Sequence, residues 1–258
     1  MTSRDDLLQL GRRLGEPARD LVILAEGNIS ARQDGGTMLV KASGCSMGTL
    51  VDADVLTVDR SVILALLDAT EVTDQHTADA YRRSVIAHPP TARMPSVEAI
   101  LHAVIYADTG AQVIAHTHPT SVNAILCSTT PELLVSGSVF PDQVVVLGRR
   151  QVLVPYTDPG VPLARAVHDA LLTFAAEHGG APKVLYLVNH GLFVLASSVE
   201  EADQVTAMAD KVARVLLGTL AAGGPRFLTD EQVDRIDRRL DEHYRRAVLS
   251  RESEGPRG

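Results

Sequence analysis

The chain has 258 residues, an apolar share of 45% and a formal charge of −8. That apolar share fills a buried core at this length, and the acidic balance excludes the domain-wide basic field a nucleic-acid partner requires. No apolar run approaches the roughly 18 residues of a membrane span, Met1 to Asp6 does not read as a leader, and two cysteines, Cys45 and Cys127, read as reduced thiols, so a cytoplasmic protein with no membrane partner is expected.

In chain order, residues 4–15 carry apolar positions at helical spacing and stop at a glycine. The stretch from Gly27 to Gly44 alternates polar and apolar residues around Asp34-Gly35-Gly36, which predicts a hairpin. Helices are predicted over 77–88 and 96–107, the second capped by Ser96. A strand is predicted over 112–118, and a helical stretch from Pro119 through Cys127. Two short strands, about 143–147 and 151–155, flank Gly148-Arg149-Arg150, and Pro159-Gly160 opens a long helix. Residues 183–195 form two β-rich runs joined at Asn189-His190-Gly191. Helices over about 198–221 and 229–249 close the chain before a disordered tail, 251–258. The absence of a repeat, a linker or a composition shift makes one mixed α/β domain over 1–258 the simplest organisation, with 222–250 as a helical extension.

His116-Thr117-His118 is the strongest chemical signal. Residues two apart in a strand share a face, so both imidazoles can reach one metal at roughly 2.0–2.1 Å. The competing reading is a pair of strand-end histidines, one bonded to a backbone carbonyl and one in solvent. His190, in a turn between two apolar strands, is placed to supply a third nitrogen; a hydrogen-bonded turn histidine is the alternative. Three imidazoles leave one tetrahedral position open, as in catalytic zinc sites, and also suit manganese or cobalt. Glu98 lies on the helix before this strand, where a carboxylate beside the metal can move a proton; most glutamates are instead surface acids. His102, one turn later, reads as a packing or supporting residue rather than a ligand. Gly27, Asn28, Ser43 and Gly44 sit at the ends of the hairpin, where free N–H groups and hydroxyls can cradle an anion or merely make turns.

Taken together, AEGNISAR (25–32), LVKASG (39–44), PSVEAILHAVIYA (95–107), VIAHTHPTSVNAI (113–125), PYTDPG (155–160) and VLYLVNHGLFVL (184–195) resemble the class II aldolase/adducin family, in the family's order. That family includes fuculose- and rhamnulose-phosphate aldolases and ribulose-phosphate 4-epimerases. The resemblance implies a three-layer α/β/α fold with a central, mainly antiparallel sheet. It also implies a homotetramer with sites near subunit interfaces, and Zn2+ held by His116, His118 and His190. Glu98 matches the acid/base of the aldolases, where the epimerases carry aspartate. Gly27, Asn28, Ser43, Gly44 and Ser96 match the anion-binding set. The aldolases that bind phosphate show two serines before this glutamate, whereas this chain has Ser96-Val97. A hydrogen bond lost to a charged group is worth about 1.5–3 kcal/mol, enough to weaken phosphate binding more than tenfold.

The expected activity is reversible retro-aldol cleavage of a small hydroxy-carbonyl substrate, with zinc stabilising the enediolate as a Lewis acid and Glu98 moving the proton. The family often uses a tyrosine as second acid, sometimes from the neighbouring subunit; Tyr244 is a candidate by position only and is not assigned that role. An epimerase or a 3-keto-acid decarboxylase would use the same centre. An adducin-like scaffold predicts missing ligands, yet all three histidines are present.

Overall fold

The structure is a computed structural model and describes residues 1–69, 71–86 and 92–239. The N-terminal half runs α1 (Arg4–Leu14), β1 (Asn28–Arg32), β2 (Thr37–Lys41), β3 (Val55–Asp59), α2 (Arg60–Leu64), α3 (Asp74–Ser84) and α4 (Ala99–Asp108). The remainder runs β4 (Val113–Thr117), α5 (Thr120–Leu126), α6 (Pro141–Leu147), β5 (Val152–Val154), α7 (Val161–His178), β6 (Val184–Leu187), β7 (Gly191–Ala196), α8 (Val199–Ala221) and α9 (Asp230–Asp237). Among the described residues, seven strands form one sheet in the order β3-β2-β1-β4-β7-β6-β5. Every pairing is antiparallel except β5 with β6.

Successive side chains in a strand face opposite sides, so each buried strand feeds two cores. Val113 and Ala115 of β4, with Leu192 and Val194 of β7, pack towards α1, α5 and α8. Ile114, Phe193 and Leu195 pack on the other face, among residues of α4 and α7. The result is the expected helix–sheet–helix sandwich, with β4 the middle strand. His116 has the parity of Ile114 and lies on the α4 face, where its ring stacks on Phe193 at 4.1 Å between centroids.

Several boundaries differ from expectation. The apolar run 143–147, read as a strand, is helix α6. Pro141 sits in its first turn and Gly148 at φ 80 stops it, while Gln143, Val144 and Leu147 are buried at helical spacing. Packing against α8 overrides the β preference of three valines. Ser96 does not cap α4; Glu98 stands at that cap position, and Ser96 Oγ instead accepts the Glu98 N–H at 3.3 Å. Helix α3 begins at Asp74, three residues earlier than expected, because Thr73 accepts the His76 N–H as its cap. Strand β3 lacks a period-2 signal long enough to stand out and was not anticipated. Helix α9 ends at Asp237; the rest of the expected 229–249 helix and 222–250 extension, the tail and Tyr244 lie outside the described residues, as does the end of 77–88.

Candidate metal centre and active site

The sheet brings together residues that are far apart in sequence. His116 is paired with Asn28 of β1 on one side and Phe193 of β7 on the other. His118 follows one residue after the strand, its N–H held by the Leu21 carbonyl at 2.9 Å. His190 sits in the β6–β7 turn, next to Asn189 at φ 58, an angle that asparagine tolerates better than most residues. Each of His116, His118 and His190 offers a nitrogen, and these three atoms lie within 4.8 Å of one another. The ring centroids are 4.6, 5.0 and 5.2 Å apart. Gly191 permits the approach, because a Cβ there would stand 2.6 Å from the His118 ring and from the Thr117 carbonyl.

The proton positions follow from the partners. His116 Nδ1–H donates to the Leu192 carbonyl at 2.9 Å, an oxygen that can only accept. His118 Nδ1–H donates to the Glu26 carboxylate at 3.1 Å. Both Nε2 atoms are therefore lone-pair donors, and they face each other at 2.8 Å. Two lone pairs at that distance repel unless a cation stands between them. Glu98 adds two more electron-rich atoms, Oε1 at 2.8 Å from His190 Nε2 and Oε2 at 3.2 Å from His116 Nε2. This donor set fits a divalent cation. Burial penalises the Glu98 charge, but positive charge on the His116 and His190 side outweighs it and holds the carboxyl well below its usual range. Burial, followed by the neighbouring His116 and His190, drives His118 down to about 3, so its imidazole is neutral at physiological pH, as a ligand must be.

Behind Glu98 runs a buried polar chain. Asn28 Nδ2–H donates to Glu98 Oε2 at 2.7 Å, and Asn28 Oδ1 accepts from His102 Nε2. His102 Nδ1 lies 2.6 Å from Ser30 Oγ, which is 2.9 Å from the Tyr106 hydroxyl. Burial pushes His102 down to about 3, so it stays neutral and links two fixed partners. The expected anion-binding residues divide. Asn28 is committed to Glu98, and Gly27 at φ 68 packs against the His116 carbonyl. Ser43 and Gly44 are exposed on a loop tied to the segment before α4 by the isolated Ala42–Pro95 bridge, while Ser96 is buried. A cavity of about 610 Å³ opens beside Glu98, lined by Ser43, Tyr81, Met94, Val97, Val161 and Arg165 among others.

Sequence reasoning missed Glu26 and Lys41. Lys41 is 1% exposed, with its ammonium donating to the Ala25 carbonyl at 3.2 Å, and burial lowers its pKa. A lysine at the end of a strand of buried residues was the available signal. Glu26 had none, because its contact depends on how the preceding loop folds.

Residues 5–217 match the profile described as "Class II Aldolase and Adducin N-terminal domain". The chain is 27% identical to the 3-oxo-tetronate 4-phosphate decarboxylase of Haemophilus influenzae over 243 residues, covering 93% of this chain and 98% of that protein. It is 30% identical to the methylthioribulose-1-phosphate dehydratase of Citrobacter koseri, covering 68% of this chain and 76% of that one. Among solved structures, an L-fuculose 1-phosphate aldolase superposes with a TM-score of 0.69 at 19% identity, over 92% of this chain and 96% of that chain. A match across most of its length, with the sheet and helices in the same arrangement, places this chain in the class II aldolase and adducin family.

Proposed function

We propose that the protein is a divalent-metal-dependent lyase that breaks a carbon–carbon bond beside a carbonyl in a small hydroxy-carbonyl substrate, sugar-like or sugar-phosphate-like. The observation that carries this reading is the Glu98 carboxylate, 2.8 Å and 3.2 Å from two of three clustered imidazoles. His116, His118 and His190 would hold the cation, with zinc preferred and manganese or cobalt as alternatives. When bound, such a cation supplies Lewis-acid polarisation of a carbonyl. Glu98, with its carboxyl ionised, accepts and returns the proton at the reacting carbon. Asn28 holds Glu98 Oε2, which also faces His116, and leaves Oε1 towards His190. The cavity lined by Val97 and Met94 takes the substrate's tail. Ser43 lines this cavity and, with the neighbouring Gly44 and Ser96, would supply the polar side for a phosphate or carboxylate. Exposed Ile23 and Leu24 near the His118 end supply apolar surface for a neighbouring subunit, in keeping with a cytoplasmic homotetramer.

Retro-aldol cleavage is the leading form of this reading. Decarboxylation of a 3-keto acid is the second, favoured by the relative from Haemophilus influenzae, which matches over 93% of this chain. Both need the same electron sink and differ in the fragment lost. The test is incubation of the metal-loaded protein with ketose phosphates, ketoses and phosphorylated 3-keto acids. Aldehyde release supports the first form and carbon dioxide the second. An epimer with no fragment released, or no turnover of any substrate, counts against carbon–carbon lysis.

A further inference from the structure

The three imidazoles are not supported equally. His116 Nδ1–H is held by a neutral carbonyl, that of Leu192, on the neighbouring strand. His118 Nδ1–H is held by a carboxylate, that of Glu26, and both oxygens of this carboxylate are committed. Glu26 Oε2 accepts from His118 at 3.1 Å, and Oε1 accepts the Ile23 N–H at 2.7 Å. The backbone between α1 and β1 is bent to allow this. Asp20 and Leu24 take φ 54 and φ 52, values that cost a non-glycine residue energy, and Gly27 takes φ 68. The loop is fastened at both ends. The Leu21 carbonyl accepts the His118 N–H at 2.9 Å, Asp20 Oδ1 accepts the Thr120 hydroxyl at 3.0 Å, and Asn28 enters the sheet opposite His116. Two strained residues persist only where their surroundings hold them, and here they deliver a charge to the far nitrogen of one imidazole.

We propose that Glu26 is a positioning residue for the metal centre: its carboxylate fixes the His118 tautomer and ring orientation and raises the basicity of the nitrogen that faces His116. The inference rests on the metal-centre reading above. A carboxylate behind a ligating histidine strengthens the metal bond because the imidazole becomes a better donor, and losing such a partner costs roughly 10–100-fold in metal affinity. Because Glu26 is 32% exposed, solvent screens part of its charge, so the lower end of that range is expected. The loop is then more than a connector. Through the Ile23 N–H it holds the Glu26 carboxylate against His118.

The test compares wild type, Glu26→Gln and Glu26→Ala for Zn2+ affinity by competition with a chromogenic chelator, and for the visible spectrum of the Co2+-loaded proteins. Thermal unfolding of the metal-free proteins runs alongside. The expected result is a zinc affinity about tenfold weaker in Glu26→Gln and weaker still in Glu26→Ala. A shifted cobalt spectrum should accompany it, with metal-free unfolding near wild type in Glu26→Gln. If Glu26→Ala does not fold, the isosteric Glu26→Gln decides alone. Wild-type zinc affinity and an unchanged cobalt spectrum in Glu26→Gln would overturn the role of Glu26 while leaving the metal centre standing. A wild type that binds neither ion would overturn the metal centre, and Glu26's role with it.

Discussion

The two ends of the site are built from different materials. The imidazole end stands on β1, β4 and β7, the middle of the sheet, where His116 is fully buried and paired on both sides. The hydroxyl end stands on loops: Ser43 and Gly44 are exposed, and Val97 is 69% exposed at the cavity mouth. Strand pairing fixes atoms to the tolerance a metal needs, whereas loops allow residues to change without disturbing the core. On the proposed reading, the sheet and its turns anchor the chemistry, and selectivity is left to the rim. Glu98 stands where the two meet, touching His190 on one side and lining the cavity on the other.

Glu98→Gln strikes both ends and should have the largest effect. It preserves shape and the bond to Asn28 but removes the proton acceptor, so kcat should fall by about 10²–10⁴-fold with little change in KM. A rise in KM with kcat unchanged would make Glu98 a binding residue. A pair of glycine substitutions then separates the ends. Gly191→Ala places a Cβ 2.6 Å from the Thr117 carbonyl, so the β6–β7 turn must shift; about 1–3 kcal/mol of stability should be lost, together with metal affinity. Gly44→Ala meets open space and costs only its φ of 77, about 1 kcal/mol, with metal affinity unchanged. Equal metal loss in the two variants, measured by chelator competition, would erase the contrast.

Smaller effects sharpen the comparison. Val97→Ser restores a hydroxyl at the rim and should tighten a phosphorylated ligand about tenfold without altering metal content. Titration of inorganic phosphate into both proteins checks this, and no gain would mean that phosphate does not sit there. On the buried side, His102 takes up a proton near pH 3 when folded but near the usual 6.5 when unfolded. Between those values the unfolded chain binds more protons, so this residue's contribution to stability is complete above pH 6.5 and declines as pH falls towards 3. Denaturant unfolding of the metal-free protein between pH 7 and 5 should show this. The slope should be shallower in His102→Gln, by at most about 1.4 kcal/mol per pH unit. Parallel slopes would remove His102 from the account.

Much of this arrangement was legible in the sequence. The HxH spacing on a strand and a histidine in a β turn are local patterns, and the structure does bring His116, His118 and His190 together. Glu98 was also traceable, although it precedes α4 rather than riding on it. The misreadings came where neighbours decide. Residues 143–147 look like a strand until α8 is there to receive a helix face, and Ser96 looks like a cap until the Pro95 bridge redirects it. Glu26 and the Asn28–His102–Ser30–Tyr106 chain depend on contacts between segments about 70–90 residues apart, which no local pattern encodes.

Metal content bears most directly on whether one cation sits among three imidazoles. Wild type, His116→Ala and His190→Ala, each shown to be folded, should be dialysed against trace zinc and assayed by elemental mass spectrometry. The account predicts one divalent ion per wild-type chain and little in either variant. Undiminished metal in folded His190→Ala, or none in the wild type, would contradict it.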